Sequence, residues 1–294
     1  MIKYILFLIS KTIFKISGNI IVFSSFNPLT ISEYSFYTSK KTGLILQGNV
    51  IIEGDFTYKT IQHYRILYPD IVIVLSTWKD TDKRFLKKLK SIKNIKVILN
   101  DYPVYFGISN INLQILSTVK ALSFLKLNGV SYALKTRTDQ RINQVSRNYL
   151  ERFINIIDTN KINLNLIQSK LIFSNMNSFN DRYYSISDML MFGFIDDMLT
   201  YWDCGYDDRS ITEVKHEIDS KYFVRESVAE GYLLSCFMNK ANYIPRWNDD
   251  CSSSFIKKYF YIVEYEYLEQ FWFKYMWYLE YSDRYKNIIR KIDL

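Results

Sequence analysis

The chain predicts an α/β fold, a mostly parallel sheet flanked by helices, and three observations carry that reading. Short apolar runs recur along the chain and end in polar or small residues. Between them lie segments of helix length with 3.6-residue periodicity, the alternation expected of a parallel sheet covered on both faces. At 294 residues the chain can also bury a full core, as one large domain or two small ones.

The elements follow in order. TGLILQGNV from Thr42 reads as a buried strand, TYKTIQHYRILYP as an amphipathic helix ended by Pro69, and DIVIVLSTW as a second buried strand. DKRFLKKLKSI gives a helix with a charged face and IKVILND a third strand. NINLQILSTVKALSFLKLNG is a long helix closed by Gly129, and VSYALKTRTD a fourth strand. The Asn-rich stretch Asp158 to Lys170 reads as a connection between two halves, and WDCGYDDRSITEVKHEID as a surface loop or lid. The aromatic tail YFYIVEYEYLEQFWFKYMWYLEY reads as helical and apolar nearly all round, packed on the core or against a membrane or partner. The expected organisation is therefore an N-terminal segment over residues 1–40, a central domain over 41–250 and a helical, aromatic-rich C-terminal extension over 251–294.

Composition narrows the function classes. The net charge of +8 (38 basic, 30 acidic) suits anionic partners such as nucleotide sugars or anionic lipid, although the abundance of Lys, Ile, Asn, Tyr and Phe also fits A/T-rich codon usage. With no RNA-binding signature, Cys/His finger or long basic helix, nucleic acid is the weakest choice. Cys204, Cys236 and Cys251 have no CxxC spacing and point to free thiols in a reduced compartment. Two histidines, His63 and His216, leave little material for His-based metal binding or Ser-His catalysis. Lys11 and Lys15 interrupt the N-terminal apolar run before the roughly 18–20 residues a spanning helix needs. Ile5, Leu8, Ile9, Thr12, Ile13 and Ile16 share one helical face instead, which fits either an inner-leaflet contact or packing on the domain.

Ligands of such sheets collect outside the carboxyl ends of the strands. Those ends carry Gln47 and Gly48, then Ser76, Thr77 and Trp78, then Asn100 and Asp101, then Lys135 to Asp139. Gly48 allows close backbone approach, Thr77 is polar, Trp78 can stack, and Lys135, Arg137 and Asp139 suit a phosphorylated ligand. In extended chain Lys135, Arg137, Asp139 and Arg141 point to one side; the plain alternative is a solvated strand end with a salt bridge. Asp188 precedes the run ending at Gly193 and fits sugar hydroxyls or an N-cap. Glu230 opens an apolar helix with Glu226 four residues earlier; such a carboxylate often only complements the helix dipole. There is no GxGxxG and no GxxxxGK[ST].

The ordered segments LILQG, YRILYPDIVIVLSTW, NINLQILSTVKAL, YALKTRTDQR, ISDMLMFG and VAEGYLLSCF resemble the WavE-type lipopolysaccharide biosynthesis glycosyltransferases over roughly Thr42 to Asn239. The STW and KTRTD segments are the specific ones. The resemblance implies a GT-A-like, Rossmann-type sheet for a nucleoside-diphosphate-sugar donor and a role in building surface polysaccharide, lipopolysaccharide or capsule. The expected acceptor is a glycan or lipid-linked glycan on the cytoplasmic side, and the N-terminal amphipathic pattern and the aromatic tail suggest peripheral contact at the inner membrane face. By the same resemblance Glu230 matches the Glu of an E-x-Y-L segment and is the first choice for general base, with Glu226 in reserve. Gln114 falls in the segment expected to touch the donor diphosphate, where Leu113 replaces an expected Arg. Arg137 and Asp139 occupy the place of a D-x-D motif with its first acid replaced, so Asp139 is the expected ligand of Mg²⁺ or Mn²⁺ while Arg137 and Lys135 neutralise phosphate. A non-catalytic, carbohydrate-binding or scaffolding role and, more distantly, a nucleotidyltransferase are the alternatives.

Overall fold

The computed structural model describes residues 35–164, 167–209, 220–222, 229–274 and 289. The N-terminal amphipathic pattern, Glu226 and the chain beyond Lys274, apart from Ile289, lie outside the described residues.

All four expected strands are present: β1 (Thr42–Gln47), β2 (Val72–Trp78), β3 (Ile95–Asn100) and β4 (Tyr132–Arg137). The intervening helices are α1 (Phe56–Leu67), α2 (Lys83–Leu89) and α3 (Ile111–Leu127). Asp82 starts α2 by accepting the Phe85 amide at 2.8 Å, an N-cap that satisfies one of the free helix-end donors. The strands are parallel, with Gln47 level with Ser76 on one side and Arg137 on the other, so their polar ends share one rim.

Beyond β4 the chain forms β5 (Gln140–Ile142), α4 (Tyr149–Thr159), the pair β6 (Lys161–Leu164) and β7 (Ile167–Ser169), and then β8 (Leu171–Ser174) and β9 (Met191–Phe194). Helices α5 (Ile195–Trp202), α6 (Ala229–Lys240) and α7 (Asp249–Tyr259) follow, with β10 (Phe260–Val263) and β11 (Gln270–Trp272) last. The main sheet has seven strands in the order β10-β8-β9-β4-β1-β2-β3, with β9 antiparallel to both neighbours. This is the mostly parallel sheet flanked by helices expected from the sequence.

Alternation along each strand divides the core in two. Leu44, Leu46, Ile73, Leu75 and Leu134 pack with Tyr64, Leu67, Phe153 and Ile157 on one face. Ile45, Val74 and Ala133 pack with Leu122, Leu125, Leu233, Phe237 and Phe255 on the other. Each such side chain contributes roughly 1.5–3 kcal/mol by leaving water, so the strands, and with them the rim, are held from both sides.

Two expectations are corrected. The tail is not one helix: within it Phe260–Val263 pairs with β8 as an edge strand of the main sheet, and Gln270–Trp272 pairs with β5. Its β-branched and aromatic residues find strand partners already formed upstream, and that tertiary pairing decides the matter. Residue 250, the expected boundary, lies within the helix Asp249–Tyr259. The basic strand also does not run straight through Arg141. A turn at Thr138 and Asp139 ends β4, and Arg141 leaves the group: its guanidinium donates to Thr60 Oγ1 at 2.9 Å and the Phe56 carbonyl at 3.1 Å and lies over the Phe56 ring.

Candidate active site

The register brings Gln47, Gln114, Lys135 and Asp188 into one hydrogen-bonded network. Gln47 Nε2 donates to Gln114 Oε1 at 3.2 Å, and Gln114 Nε2 donates to Asp188 Oδ2 at 2.5 Å. Ser117, one turn further along α3, fixes the other end of Gln47 by donating to its Oε1 at 3.0 Å. Lys135 Nζ donates to the main-chain carbonyl of Asp188 and, at 3.5 Å, to Gln114, and it lies 4.4 Å from the Trp202 ring centroid.

Lys135 is fully buried, and its ammonium is spent on these partners. In this structure its contacts are to the Asp188 carbonyl and Gln114, on the carboxylate side of the site. Burial pushes its pKa down to about 7, with the nearby Asp188 charge working against that fall.

Arg137 and Asp139 form the second cluster. The guanidinium grips the carboxylate through two parallel bonds, Nε to Oδ1 at 2.9 Å and Nη2 to Oδ2 at 3.1 Å. Trp272, from β11, donates its indole N–H to Oδ2 at 3.1 Å, and the Phe273 amide donates to the Asp139 carbonyl at 2.9 Å. Burial opposes the Asp139 charge, but Arg137 and the indole outweigh it and hold the carboxyl below its ordinary range.

Both Asp139 oxygens are engaged by Arg137 and Trp272, and among the described residues no group of three or more His, Cys, Asp and Glu is arranged to hold a metal ion. In this arrangement Asp139 clamps Arg137.

Glu230 stands in the first turn of α6 and faces both clusters electrostatically. Burial of its carboxyl pushes the pKa up to about 8, the negative charge of Asp188 acts in the same direction, and Arg182 and Arg137 pull the other way. A carboxyl with a raised pKa beside guanidinium groups is an arrangement able to take up a proton near neutral pH.

The remaining expected residues are less involved. Gly48 has φ +110° and its amide donates to the Ser76 carbonyl; a Cβ there would come within 3.3 Å of Thr138 Oγ1, so the position suits glycine. Thr77 is buried with its hydroxyl 3.0 Å from that of Thr81. Trp78 is covered by Tyr102, which stacks on it at 4.6 Å between ring centroids. Neither joins the polar network. In the acidic loop, Asp207 is buried and paired with Arg209, and Asn112 bonds its backbone, so residues 203–209 are tied to α3 and do not form a free lid.

Ser117, Arg182, Tyr201, Trp202 and Trp272 escape sequence reasoning. Ser117 was recoverable in principle, lying three residues after Gln114 on one helical face. Trp272 was not, because 133 residues separate it from Asp139. Tyr201 Oη and Trp202 Nε1 are buried without hydrogen-bond partners beside this charged group, although both rings pack in the core.

The family model described as WavE lipopolysaccharide synthesis matches residues 44–258, which takes in both clusters and Glu230. The chain belongs to the WavE lipopolysaccharide synthesis family. No curated protein matches it. Among solved structures it is similar to the 4-diphosphocytidyl-2C-methyl-D-erythritol synthase of Anaerococcus prevotii, at 11% identity over 76% of this chain and 89% of that one, TM-score 0.40. Mouse xyloside xylosyltransferase 1 has 8% identity over 76% and 85%, TM-score 0.34. A cytidylyltransferase of Leptospira borgpetersenii has 10% identity over 69% and 95%, TM-score 0.32. Among the described residues no helix is long and apolar enough to cross a membrane.

Proposed function

We propose that the chain is a glycosyltransferase that moves a sugar from a nucleoside-diphosphate sugar to a growing lipopolysaccharide or capsule glycan, on the cytoplasmic side of the membrane. The observation that supports this reading is a guanidinium clamped at the end of β4, Arg137, within electrostatic reach of Glu230 in the first turn of α6, whose pKa burial raises to about 8. Arg137, fixed by Asp139 and Trp272 and partly exposed, meets the diphosphate. Gln47, Gln114 and Asp188 offer amide and carboxylate groups to sugar hydroxyls.

Glu230 takes the proton of the acceptor hydroxyl as its oxygen bonds to the anomeric carbon. The bond from that carbon to the phosphate oxygen breaks, and the diphosphate leaves with the electron pair toward Arg137. A base with a pKa near the operating pH is the efficient choice for this step. Every part of the step is assigned to side chains of this chain.

The test is a panel of nucleoside-diphosphate sugars, each with and without Mg²⁺ or Mn²⁺, followed by thermal shift and by slow donor hydrolysis. One donor should raise the melting temperature and be hydrolysed. A panel with no stabilisation and no hydrolysis would leave the scaffolding alternative in place.

A further inference from the structure

Between β3 and α3 the chain exposes four large apolar side chains within five residues: Tyr102 (44%), Val104 (88%), Tyr105 (75%) and Phe106 (45%). Exposed aromatic groups of this density on a soluble fold mark binding surfaces. What sets this loop apart is how firmly it is held. The Tyr102 ring lies nearly parallel on Trp78, at 4.6 Å and 17°, and its hydroxyl donates to Asp80, 3.1 Å from each carboxylate oxygen. Phe106 follows at 6.0 Å and 39°.

The backbone is fixed from α3. Asn112 Nδ2 donates to the Tyr105 carbonyl at 3.0 Å, and the Asn112 amide donates to the Phe106 carbonyl at 2.9 Å. Gly107, Ser109 and Asn110 all sit at positive φ, which glycine adopts freely and asparagine readily, and only Ser109 does so at a cost. Asn112 also bonds Asp207, and so ties the loop to Tyr206, itself 52% exposed and held by Tyr232 through its carbonyl. Gln114, on the same helix, enters the Asp188 network. The aromatic loop and the candidate active site are therefore both anchored to the first turn of α3.

We infer that Tyr102, Tyr105 and Phe106 form a preorganised stacking platform for the acceptor glycan. A sugar ring presents C–H groups of slight positive charge, which suit the negative face of an aromatic ring, and a ring already immobilised loses little entropy on binding. Asp80 stands beside the rings and suits sugar hydroxyls, while Asp101 is paired with Lys79 at 2.8 Å. The charges flanking the rings, Lys79, Asp80 and Asp101, sum to −1, a poor match for an anionic bilayer as the occupant. The inference rests on the transferase reading for the role of the bound glycan, and its binding is measurable separately.

The probe is a deacylated lipopolysaccharide oligosaccharide titrated calorimetrically into the full chain. Wild type should bind it. Tyr102→Ala should bind about tenfold more weakly or worse, the equivalent of one lost stacking contact. Tyr105→Ala, at the most exposed ring and safest for the fold, should weaken binding in the same direction. Binding of the donor found in the panel should be unchanged in both variants. Wild type that fails to bind, or variants within about twofold of it, overturns the platform. So does sedimentation with phosphatidylglycerol vesicles that both variants abolish while oligosaccharide binding persists. Oligosaccharide binding lost in the variants of a protein that binds no donor would keep the platform and refute the transferase reading.

Discussion

A double-mutant cycle on Arg137 and Asp139 distinguishes a guanidinium clamp from a metal ligand. The two side chains share parallel charge-assisted bonds of 2.9 and 3.1 Å, with 27% and 10% of their surfaces exposed. A hydrogen bond to a charged group contributes about 1.5–3 kcal/mol net, and partial exposure of Arg137 screens the pair. We expect a coupling of about 2–4 kcal/mol, read as the difference between the summed stability losses of Arg137→Ala and Asp139→Asn and the loss in the double variant. Urea denaturation supplies the stabilities. Donor titration of the same proteins should show Arg137→Ala weakening binding by about 1.5–3 kcal/mol. A coupling below about 0.5 kcal/mol, with donor binding in the wild type lost on chelation and in Asp139→Asn alone, would refute the clamp and restore Asp139 as a metal ligand.

Two further outcomes follow from the same geometry. Trp272→Phe keeps an aromatic ring and removes the N–H that holds Asp139 Oδ2 together with part of the indole's volume; it should lower donor affinity several-fold with an unchanged rate at saturation, and an unchanged KM would show that the indole bond does not position Arg137 for the donor. Glu230→Gln should bind donor nearly normally and lose on the order of 10²- to 10⁴-fold in single-turnover transfer, whereas a dipole-complementing Glu would give near-native turnover and move the base elsewhere.

The sheet was legible because alternation and periodicity are local. Each of β1 to β4 could be read from its own residues, and strand-end chemistry then named most of the rim: Gln47, Gly48, Lys135, Arg137 and Asp139. The chain's contact order hid the rest. Trp272 meets Asp139 only because β11 pairs with β5, and the aromatic run around it looked helical while its strand partners were out of view. Alternation likewise placed Arg141 with Lys135 and Arg137, since nothing in the letters shows that the backbone turns at Thr138. Burial was the other unreadable quantity. It separates Lys135, sealed beneath the network, from Arg137, which keeps an open edge.

The opposing shifts of Glu230 and Lys135 give the site a recognisable pH dependence. Glu230, ordinarily 4.5, stands at about 8 in the fold; its contribution to stability is complete below pH 4.5 and is lost as the pH rises through 8. Lys135, ordinarily 10.5, stands at about 7; its contribution is complete above 10.5 and is lost as the pH falls through 7. Together they place the weakest point between about pH 7 and 8, with a slope approaching 1.4 kcal/mol per pH unit on either side for a fully shifted group. His63, held down to about 4 by burial, pulls the other way between about 4 and its ordinary 6.5, so the raw profile mixes the two acid-side effects. Differences against variants separate them. The stability of wild type minus that of Glu230→Gln should fall with pH between about 4.5 and 8 and level beyond. Wild type minus Lys135→Met should rise between about 7 and 10.5. Denaturant melts across that range measure both differences, and a flat difference for Glu230→Gln would mean that its carboxyl is solvated and ordinary, which would remove the physical case for Glu230 as the base.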